Sequence, residues 1–537
     1  MKLKHVLGTL ICRAYHASKH KVRIPDSSVT EYIFRGLGKH GEKTALIDGT
    51  SNRTVSFNQL YEEVNHVTNN LGSLGLKHGD VACLCGTNAP EFAHVFCSVT
   101  ALGAALTIAN SQLTSGELLL QVKDTQSRLL FTTEECADKA LQVQNSSPNL
   151  IQQVIVFGNH NNCLSFDDLK RVAPDVDLPK IEPESDVALI PFSSGTTGLP
   201  KGVQLTHRNI VAELAALSHP LFLPFDDGNS SLSALPMVHI AGLVIGMLNP
   251  LSQGATVVTL PRFQPEAFLS ALQKYKITFS LIAPPVVNFL ANDPLVNNFD
   301  LSHWTTPYSG AAPLGADLTM QMVTRLNLKG IRQGYGMSEA SPATHTTPSD
   351  GWKYGSIGIP IPNTESKIVD IETGCDLDVD QHGEIWVRGP QIMKGYLNNT
   401  EATGETINED GWMRTGDIGY FDKDGHYFVV DRLKEIIKYK GYQIAPAYLE
   451  SILLSHDSVE DAAVVGVPHG VDGHLPTAYV VCNKTIQESD LVNFVNCKFI
   501  FLYLHHTSCT SSSLKMRVSF TSYIIYILSD IFFNLGM

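Results

Sequence analysis

The sequence predicts an α/β protein of more than one domain, with two mostly parallel sheet-and-helix layers and a smaller barrel-like piece. Three observations carry this. The chain has 537 residues, beyond the roughly 250–300 at which single cores stop growing. From about residue 54, apolar-periodic stretches alternate with short β-rich runs, the pattern of helices layered on a parallel sheet. Between about 355 and 430, short strands are separated by Gly and Asp turns, which suggests a small antiparallel piece.

The N-terminus differs from the body. No acidic residue precedes Asp26, whereas Lys2, Lys4, Arg13, Lys19, Lys21 and Arg23 are basic. Leu3, Val6, Leu7, Leu10, Ile11 and Ala14 recur at helical spacing, so the stretch reads as a basic amphipathic helix of the mitochondrial transit type or as a frayed basic leader. Mitochondrial localisation is the first expectation, with a peroxisomal or cytoplasmic destination as the alternative. The body then opens with "FNQLYEEVNHVTNNL", a predicted helix, and "DVACLCGT", a predicted strand. A second run of such units covers roughly 187 to 340, where "DVALIPF", "ATVVTL" and "ITFSLIA" are predicted buried strands.

Composition bounds the function. With 43% apolar and 17% charged residues the chain is an ordinary globular protein. A net charge of −14 argues against general affinity for nucleic acid, so an anionic ligand has to be held by local features. The ten cysteines are scattered and only Cys83 and Cys85 lie close in sequence, with neither zinc-ligand spacing nor a Cys-x-x-Cys pair. A reducing compartment fits that usage. No apolar run reaches the roughly 18 residues of a membrane span, and the oligomeric state is left open.

One local feature is suited to anions. After the strand "DVALIPF", residues Ser193, Ser194, Gly195, Thr196, Thr197 and Gly198 form a loop whose backbone N–H groups can turn towards phosphate, because glycine permits the required conformations. Lys201 adds a mobile positive charge. The spacing is not that of a Walker loop: Pro200 precedes Lys201, and "GVQLT" reads as an extended piece before a helix capped by Thr206. A kinase-like or GTPase-like cradle on a helix N-terminus is therefore not expected.

Further motifs follow in order: "SGAAPL" at 309–314, "GYGMSE" at 334–339, "GYLNN" at 395–399, "DGWMRTGDIGYFDKDG" at 410–425 and "DRLKEIIKYKGYQIAP" at 431–446. With "SSGTTGLPKG" at 193–202, this ordered set resembles the adenylate-forming enzymes, which include acyl-CoA synthetases, 4-coumarate:CoA ligases and beetle luciferases. The resemblance runs from about residue 28 to about 485. It implies a large N-terminal domain followed by a small, mobile α+β C-terminal domain. It divides the chain into a leader over 1–25, an AMP-binding domain over 26–430, a partial C-terminal domain over 431–496 and a non-family tail over 497–537.

The implied reaction has two steps. A carboxylate attacks the α-phosphate of ATP to give acyl-AMP and pyrophosphate, and coenzyme A then takes the acyl group from a fatty or aryl carboxylic acid. Attack of one anion on another needs charge neutralisation, which the resemblance assigns to Lys201, the loop N–H groups and magnesium. Glu339 is the implied magnesium ligand, since that cation prefers oxygen. Ser338 stands where the family usually has Thr and offers a hydroxyl to the α-phosphate. Gly334, Tyr335 and Gly336 would bring an aromatic ring onto adenine, with Gly310, Ala311 and Ala312 along its edge. Asp417 would bind the ribose hydroxyls with support from Arg432. His239, Ile240 and Gly242 would line the acyl pocket, and Pro284–Val287 is a second candidate wall. Lys434 matches the hinge, and Lys438, Lys440 and Gly441 lie on the stretch that serves thioester formation and coenzyme A. Taken singly, His239 reads as a packed or surface histidine, Asp417 as a turn residue and Tyr335 as a core aromatic; the ordered company favours function.

The chain departs from the pattern after "ESDLVNFVN". The family would continue to a Gly-Lys segment whose lysine reaches the α-phosphate, and neither Lys498 nor Lys515 follows a glycine. Two alternatives to a competent ligase are therefore carried: a luciferase-like monooxygenase, and a catalytically weakened nucleotide- or acyl-binding protein.

Overall fold

The computed structural model describes residues 15–193, 200–226, 228–312, 314–439, 442–444, 446–468, 474–482, 484, 486–487 and 489–495, with backbone strand segments at 514–515, 523–526 and 528–529. The predicted leader helix lies outside them.

Among the described residues, two large sheets dominate. In the first, eight-stranded sheet, Val187–Ser193, Ala105–Asn110, Val81–Gly86, Ser127–Thr133, Gln153–Phe157 and Leu164–Ser165 run parallel. Lys201–Thr206 and Gly395–Tyr396 close one edge antiparallel. The second, nine-stranded sheet has a parallel centre formed by Thr44–Asp48, Thr256–Thr259, Ser230–Ser233, Phe279–Ile282, Thr306–Ser309 and Arg332–Gly336. Ala343–Thr346 turns back antiparallel along Arg332–Gly336. The predicted strands at 187, 256 and 279 are all present.

Helices cover these sheets because their apolar residues recur on one face. Helix Phe57–Ser73 buries Phe57, Leu60, Val64, Val67 and Leu71, spaced three and four apart, and Ser56 caps it by accepting from the Gln59 N–H. These side chains join a core that also holds Leu84, Phe92, Phe96, Leu106, Leu189 and Leu205. Burial of such side chains contributes about 1.5–3 kcal/mol each.

The predicted barrel-like piece is a five-stranded antiparallel sheet in the order Tyr15–Ala17, Glu365–Val369, Gly383–Arg388, Met413–Phe421, Tyr427–Arg432. Its first strand falls within the stretch read as a leader: Tyr15 to Ala17 pair with Lys367 to Glu365. Beyond it, the hairpin Ile437–Tyr439 and Tyr442–Ile444 leads to helix Pro446–Leu454 and the antiparallel pair Val459–Pro468 and His474–Cys482. Leu449, Ile452, Leu453, Val464, Ala478 and Val480 form a separate small core there. Tyr523–Tyr526 adds a strand beside His474–Cys482.

Candidate active site

The phosphate loop is closed by a strand pair. Ser193 ends one strand, Lys201 begins the next, and the two are directly opposite in an antiparallel ladder. The loop is thus a hairpin connection and not a strand-to-helix turn, as its sequence predicts. Ser194, Gly195, Thr196, Thr197 and Gly198 lie outside the described residues. Thr206 then caps helix His207–Leu217: its hydroxyl accepts from Asn209 N at 3.2 Å, and Asn209 Oδ1 accepts from Thr206 N at 2.9 Å.

That capping asparagine also reaches across the molecule. Its Nδ2 donates to the carbonyls of Pro390 and Ile392, each at 2.8 Å. Met393 N donates to Glu339 O at 2.8 Å, Lys394 N to Gln204 O at 3.0 Å and Leu397 N to Gly202 O at 2.8 Å. Residues 390–397 are therefore laced between the lysine-bearing strand and the "GYGMSE" turn, which places Tyr396 between the two.

Tyr396 links two predicted residues. Its hydroxyl donates to Glu339 Oε1 at 2.8 Å, and the Lys201 ammonium stands 4.9 Å from its ring centroid. Burial, then the neighbouring Glu339 charge, push the phenol above its ordinary value, so it remains a donor. Glu339 is buried, at 7% exposure, and forms no ion pair among the described residues. A buried carboxylate held by one hydroxyl fits a hard cation, and no cluster of three or more acidic, His or Cys side chains surrounds it among the described residues. That is the donor set of a magnesium ion held by one carboxylate together with substrate phosphates and water.

The adenine-side segment depends on close backbone approach. A Cβ on Gly336 would stand 1.9 Å from Pro342 O, and one on Gly334 would stand 1.9 Å from the Tyr308 hydroxyl. Only glycine allows strand Arg332–Gly336 to lie against both. Gly310 follows strand Thr306–Ser309, which runs parallel beside Arg332–Gly336, and Ala311 takes a left-handed φ of 71°. Ala311 and Ala312 are exposed, and Ser338 is half-buried at the turn Ser338–Ala340.

Asp417 is presented by a bulge. Across from Glu384 to Trp386, the partner strand runs from Ile418 back to Arg414, with Thr415, Gly416 and Asp417 between. Thr415 Oγ1 donates to Ile385 O at 2.7 Å, Gly416 N donates to Glu384 Oε1 at 3.0 Å, and Asp417 N donates to Thr415 Oγ1 at 3.1 Å. Gly416 holds a φ of 75°, which explains the glycine before the acid. Asp417 is thus a strand residue, which replaces the reading of it as a turn residue.

Tyr335 Oη donates to Asp417 Oδ2 at 2.6 Å, and Arg432, the cross-strand partner of Asp417, places Nε 3.6 Å from Oδ1. Burial raises the Asp417 carboxyl above its ordinary value despite both partners. The arginine is 57% exposed, so solvent screens its charge, while Asp417 is nearly enclosed. Behind Tyr335 lies His345, fully buried with ring centroids 5.9 Å apart, its imidazole pushed down to about 3 by burial.

His239 begins the short helix Ile240–Leu243. Solvent reaches it, yet surrounding atoms partly desolvate its imidazole and hold its pKa below the ordinary value. Asn88 fixes this segment from the other sheet: Met237 N donates to Asn88 Oδ1 at 2.7 Å, and Asn88 Nδ2 donates to Leu235 O at 2.9 Å and Leu260 O at 3.2 Å. Ile240 is buried, and a Cβ on Gly242 would meet Pro236 O at 2.4 Å. Ala241 packs against the core cluster that includes Tyr308 and Ala343. The second candidate wall behaves differently: Val286 and Val287 join another core from Ile240 and Leu243.

Lys434 is exposed in the turn after Arg432, and Leu433 N donates to Gly416 O at 2.7 Å. Asp431 Oδ2 accepts from Ala447 N at 3.1 Å at the start of the C-terminal helix. Lys438 lies in strand Ile437–Tyr439, with its side chain outside the described residues, as are Lys440 and Gly441.

The structure therefore joins Lys201 to Glu339 through Tyr396, and Tyr335 to Asp417 and Arg432, with residues 335–339 common to both groups. Sequence reasoning missed Tyr396, Asn88, Glu384 and His345. Tyr396 alone had a signal, standing inside the quoted "GYLNN".

Comparison with known proteins shows the family. Residues 33–397 match the family described as AMP-binding enzyme, and residues 448–500 match the AMP-binding enzyme C-terminal domain. The chain belongs to the AMP-binding, adenylate-forming enzyme family, and it is an adenylate-forming CoA ligase. It is 39% identical over 483 residues to 4-coumarate–CoA ligase 1 of Petroselinum crispum, covering 88% of each chain. It is 36% identical over 508 residues to the probable 4-coumarate–CoA ligase 1 of Dictyostelium discoideum, covering 90% of this chain and 92% of that one. Among solved structures, the anthranilate CoA ligase AuaEII in complex with anthranoyl-AMP superposes with a TM-score of 0.81 at 25% identity, covering 89% of this chain and 91% of that one. The Bacillus subtilis o-succinylbenzoate CoA synthetase in complex with its acyl-adenylate intermediate gives 0.76 at 27% identity, covering 87% and 91%. Enzymes of this family use ATP, Mg2+ and coenzyme A, and no helix among the described residues is long and apolar enough to cross a membrane.

Proposed function

We propose that this chain joins an aryl carboxylic acid to coenzyme A through an acyl-AMP intermediate. The observation that carries the assignment of residues is the segment 335–339, tied at one end to Asp417 and at the other, through Tyr396, to Lys201. Aryl acids are favoured because the relatives named above carry 4-coumarate, anthranilate and o-succinylbenzoate in their names.

In this reading the carboxylate of the acid enters beside His239, Ile240 and Gly242, and attacks the α-phosphate of ATP. Lys201 and the loop Ser193–Gly198 hold the departing pyrophosphate, so the negative charge leaves towards fixed donors and not into solvent. Ser338 donates to an α-phosphate oxygen. Glu339, oriented by Tyr396, would hold Mg2+, which would supply charge neutralisation on the phosphates. Tyr335 and the edge Gly310–Ala312 take the adenine, and Asp417 accepts from the ribose hydroxyls on the lone pairs that Tyr335 and Arg432 leave free. Rotation about Lys434 then brings Lys438, Lys440 and Gly441 to the acyl-AMP. There the coenzyme A thiol replaces AMP at the acyl carbon.

The test is AMP release and thioester formation by the purified chain with ATP, Mg2+, coenzyme A and a panel of acids. Cinnamates and benzoates are expected to outpace octanoate and acetate. Preference for the aliphatic acids, or no AMP release with any acid, overturns the proposal.

A further inference from the structure

Two thiols that the ligase reaction does not use meet at the edge of the first sheet. Cys85 stands near the C-terminal end of Val81–Gly86, paired with Ala109 on one side and Thr132 on the other. The chain leaves that second neighbour, passes through Thr133 and the turn Glu134–Cys136, and returns over Cys85. The Cys136 and Cys85 side chains come close enough to act on each other. Cys85 Sγ also lies 3.7 Å from Asn110 O, and Cys136 Sγ lies 4.0 Å from Ser111 O. Lys139 completes the group, donating to Ser111 O and, at 2.9 Å, to Leu113 O. Two sulfurs from separate elements and one ammonium thus converge on the same turn.

Their environments differ in sense. Cys136 is the N-cap of the ten-residue helix Ala137–Ser146, where the aligned peptide dipoles favour an anion. The bond from Cys85, then the Lys139 charge and the Thr133 hydroxyl, hold the Cys136 thiol below its ordinary range against burial and the Glu135 charge. Cys85 is pushed up by its bond to Cys136, by burial and by Cys83. Cys136 is therefore the readier of the two to lose its proton, the division of roles between an attacking and a resolving thiol.

We propose that Cys85 and Cys136 form a reversible redox pair, with Cys136 oxidised by hydrogen peroxide and Cys85 closing a disulfide upon it. The Cys136 thiolate attacks one peroxide oxygen, the O–O bond breaks, and the departing hydroxide takes a proton to become water. Cys85 sulfur then attacks Cys136 sulfur and displaces the sulfenic oxygen, which leaves as water with the Cys85 proton. Two thiols lose two electrons in total and peroxide is reduced to two waters; a dithiol reductant reverses the step. Cys136 is 5% exposed and Cys85 is fully enclosed, so the site admits a small oxidant in preference to a bulky disulfide.

The test uses the full chain, reduced and then treated with about one equivalent of hydrogen peroxide under native conditions. Peptide mass mapping is expected to find a Cys85–Cys136 cross-link that dithiothreitol removes. In Cys85→Ser, dimedone is expected to trap a sulfenic acid at Cys136. Oxidation of exposed Cys375 while Cys85 and Cys136 remain thiols, or a cross-link that forms only in denaturant, overturns the proposal. Should Cys85→Ser fail to fold, the wild-type chain still decides: the pH midpoint of iodoacetamide labelling should be lower at Cys136 than at Cys375. An equal or higher midpoint at Cys136 counts against the pair.

Discussion

The Tyr396 hydroxyl lies 2.8 Å from Glu339 Oε1 and fixes the carboxylate that we propose as the magnesium ligand. The same ring faces the Lys201 ammonium, so one aromatic side chain organises the cationic and the anionic arms of the phosphate site.

Tyr396→Phe keeps the ring under Lys201 and removes only the donor to Glu339. Loss of such an orienting partner typically costs about 10–100-fold in metal affinity. The Mg2+ concentration for half-maximal ATP–pyrophosphate exchange is expected to rise by about that factor, with little change in melting temperature. An unchanged Mg2+ requirement would remove Tyr396 from the site.

Asp417→Asn separates function from stability. The buried carboxyl sits above its ordinary value of 3.8, so ionising it opposes folding: stability present in acid is lost as pH rises through the folded-state value. The amide carries no charge, so the variant is expected to melt about 1–2 °C higher than wild type at pH 7. That advantage should vanish below about pH 4, where both side chains are neutral. ATP use should fall about 10–100-fold, the scale of hydrogen bonds to a charged group.

Glu213 makes a related case away from the phosphates. It is fully buried in helix His207–Leu217, accepts from Ala343 N at 2.9 Å through Oε1, and leaves Oε2 without a partner. Burial raises it well above its ordinary 4.5, which favours the neutral acid in the fold. Glu213→Gln keeps the shape and the neutral state. Thermal melts at pH 5, 7 and 9 should show the wild type losing stability relative to the variant as pH rises; parallel curves would mean that Glu213 is ionised in the fold.

Residues 497–537 contain Lys498 and Lys515 but no Gly-Lys segment. A preorganised cation at a developing phosphoryl charge contributes on the order of a hundredfold in rate. We predict that the 537-residue chain exchanges pyrophosphate into ATP about a hundredfold more slowly than the parsley relative assayed alongside it, while AMP binding stays within about tenfold. Exchange at the relative's rate would show that another group does the work.

Much of this architecture was legible in advance because its signals are local. The strand before the phosphate loop, the extended piece after Lys201 and the Thr206 cap each follow from neighbouring residues, and all are present. Asp417 was singled out by its motif, but its bulge was not: that conformation depends on Thr415 and Glu384, and the latter is distant in sequence. Tyr396 escaped for a similar reason, since its two partners come from other segments. Asn88 stands in no motif, and its three partners, Leu235 O, Met237 N and Leu260 O, come from segments distant in sequence. Distal pairing of this kind leaves no periodicity to read.

The adjacency of Asp431 and Arg432 has a mechanical consequence. One faces the ribose-side acid, and the other grips the first turn of helix Pro446–Leu454 through Ala447 N. Any rotation about Leu433 and Lys434 that carries this helix away must release that grip and leave a carboxylate of 5% exposure short of a donor. The C-terminal unit is therefore latched: it leaves this position by breaking a bond worth roughly 1.5–3 kcal/mol, one residue from the arginine that faces Asp417.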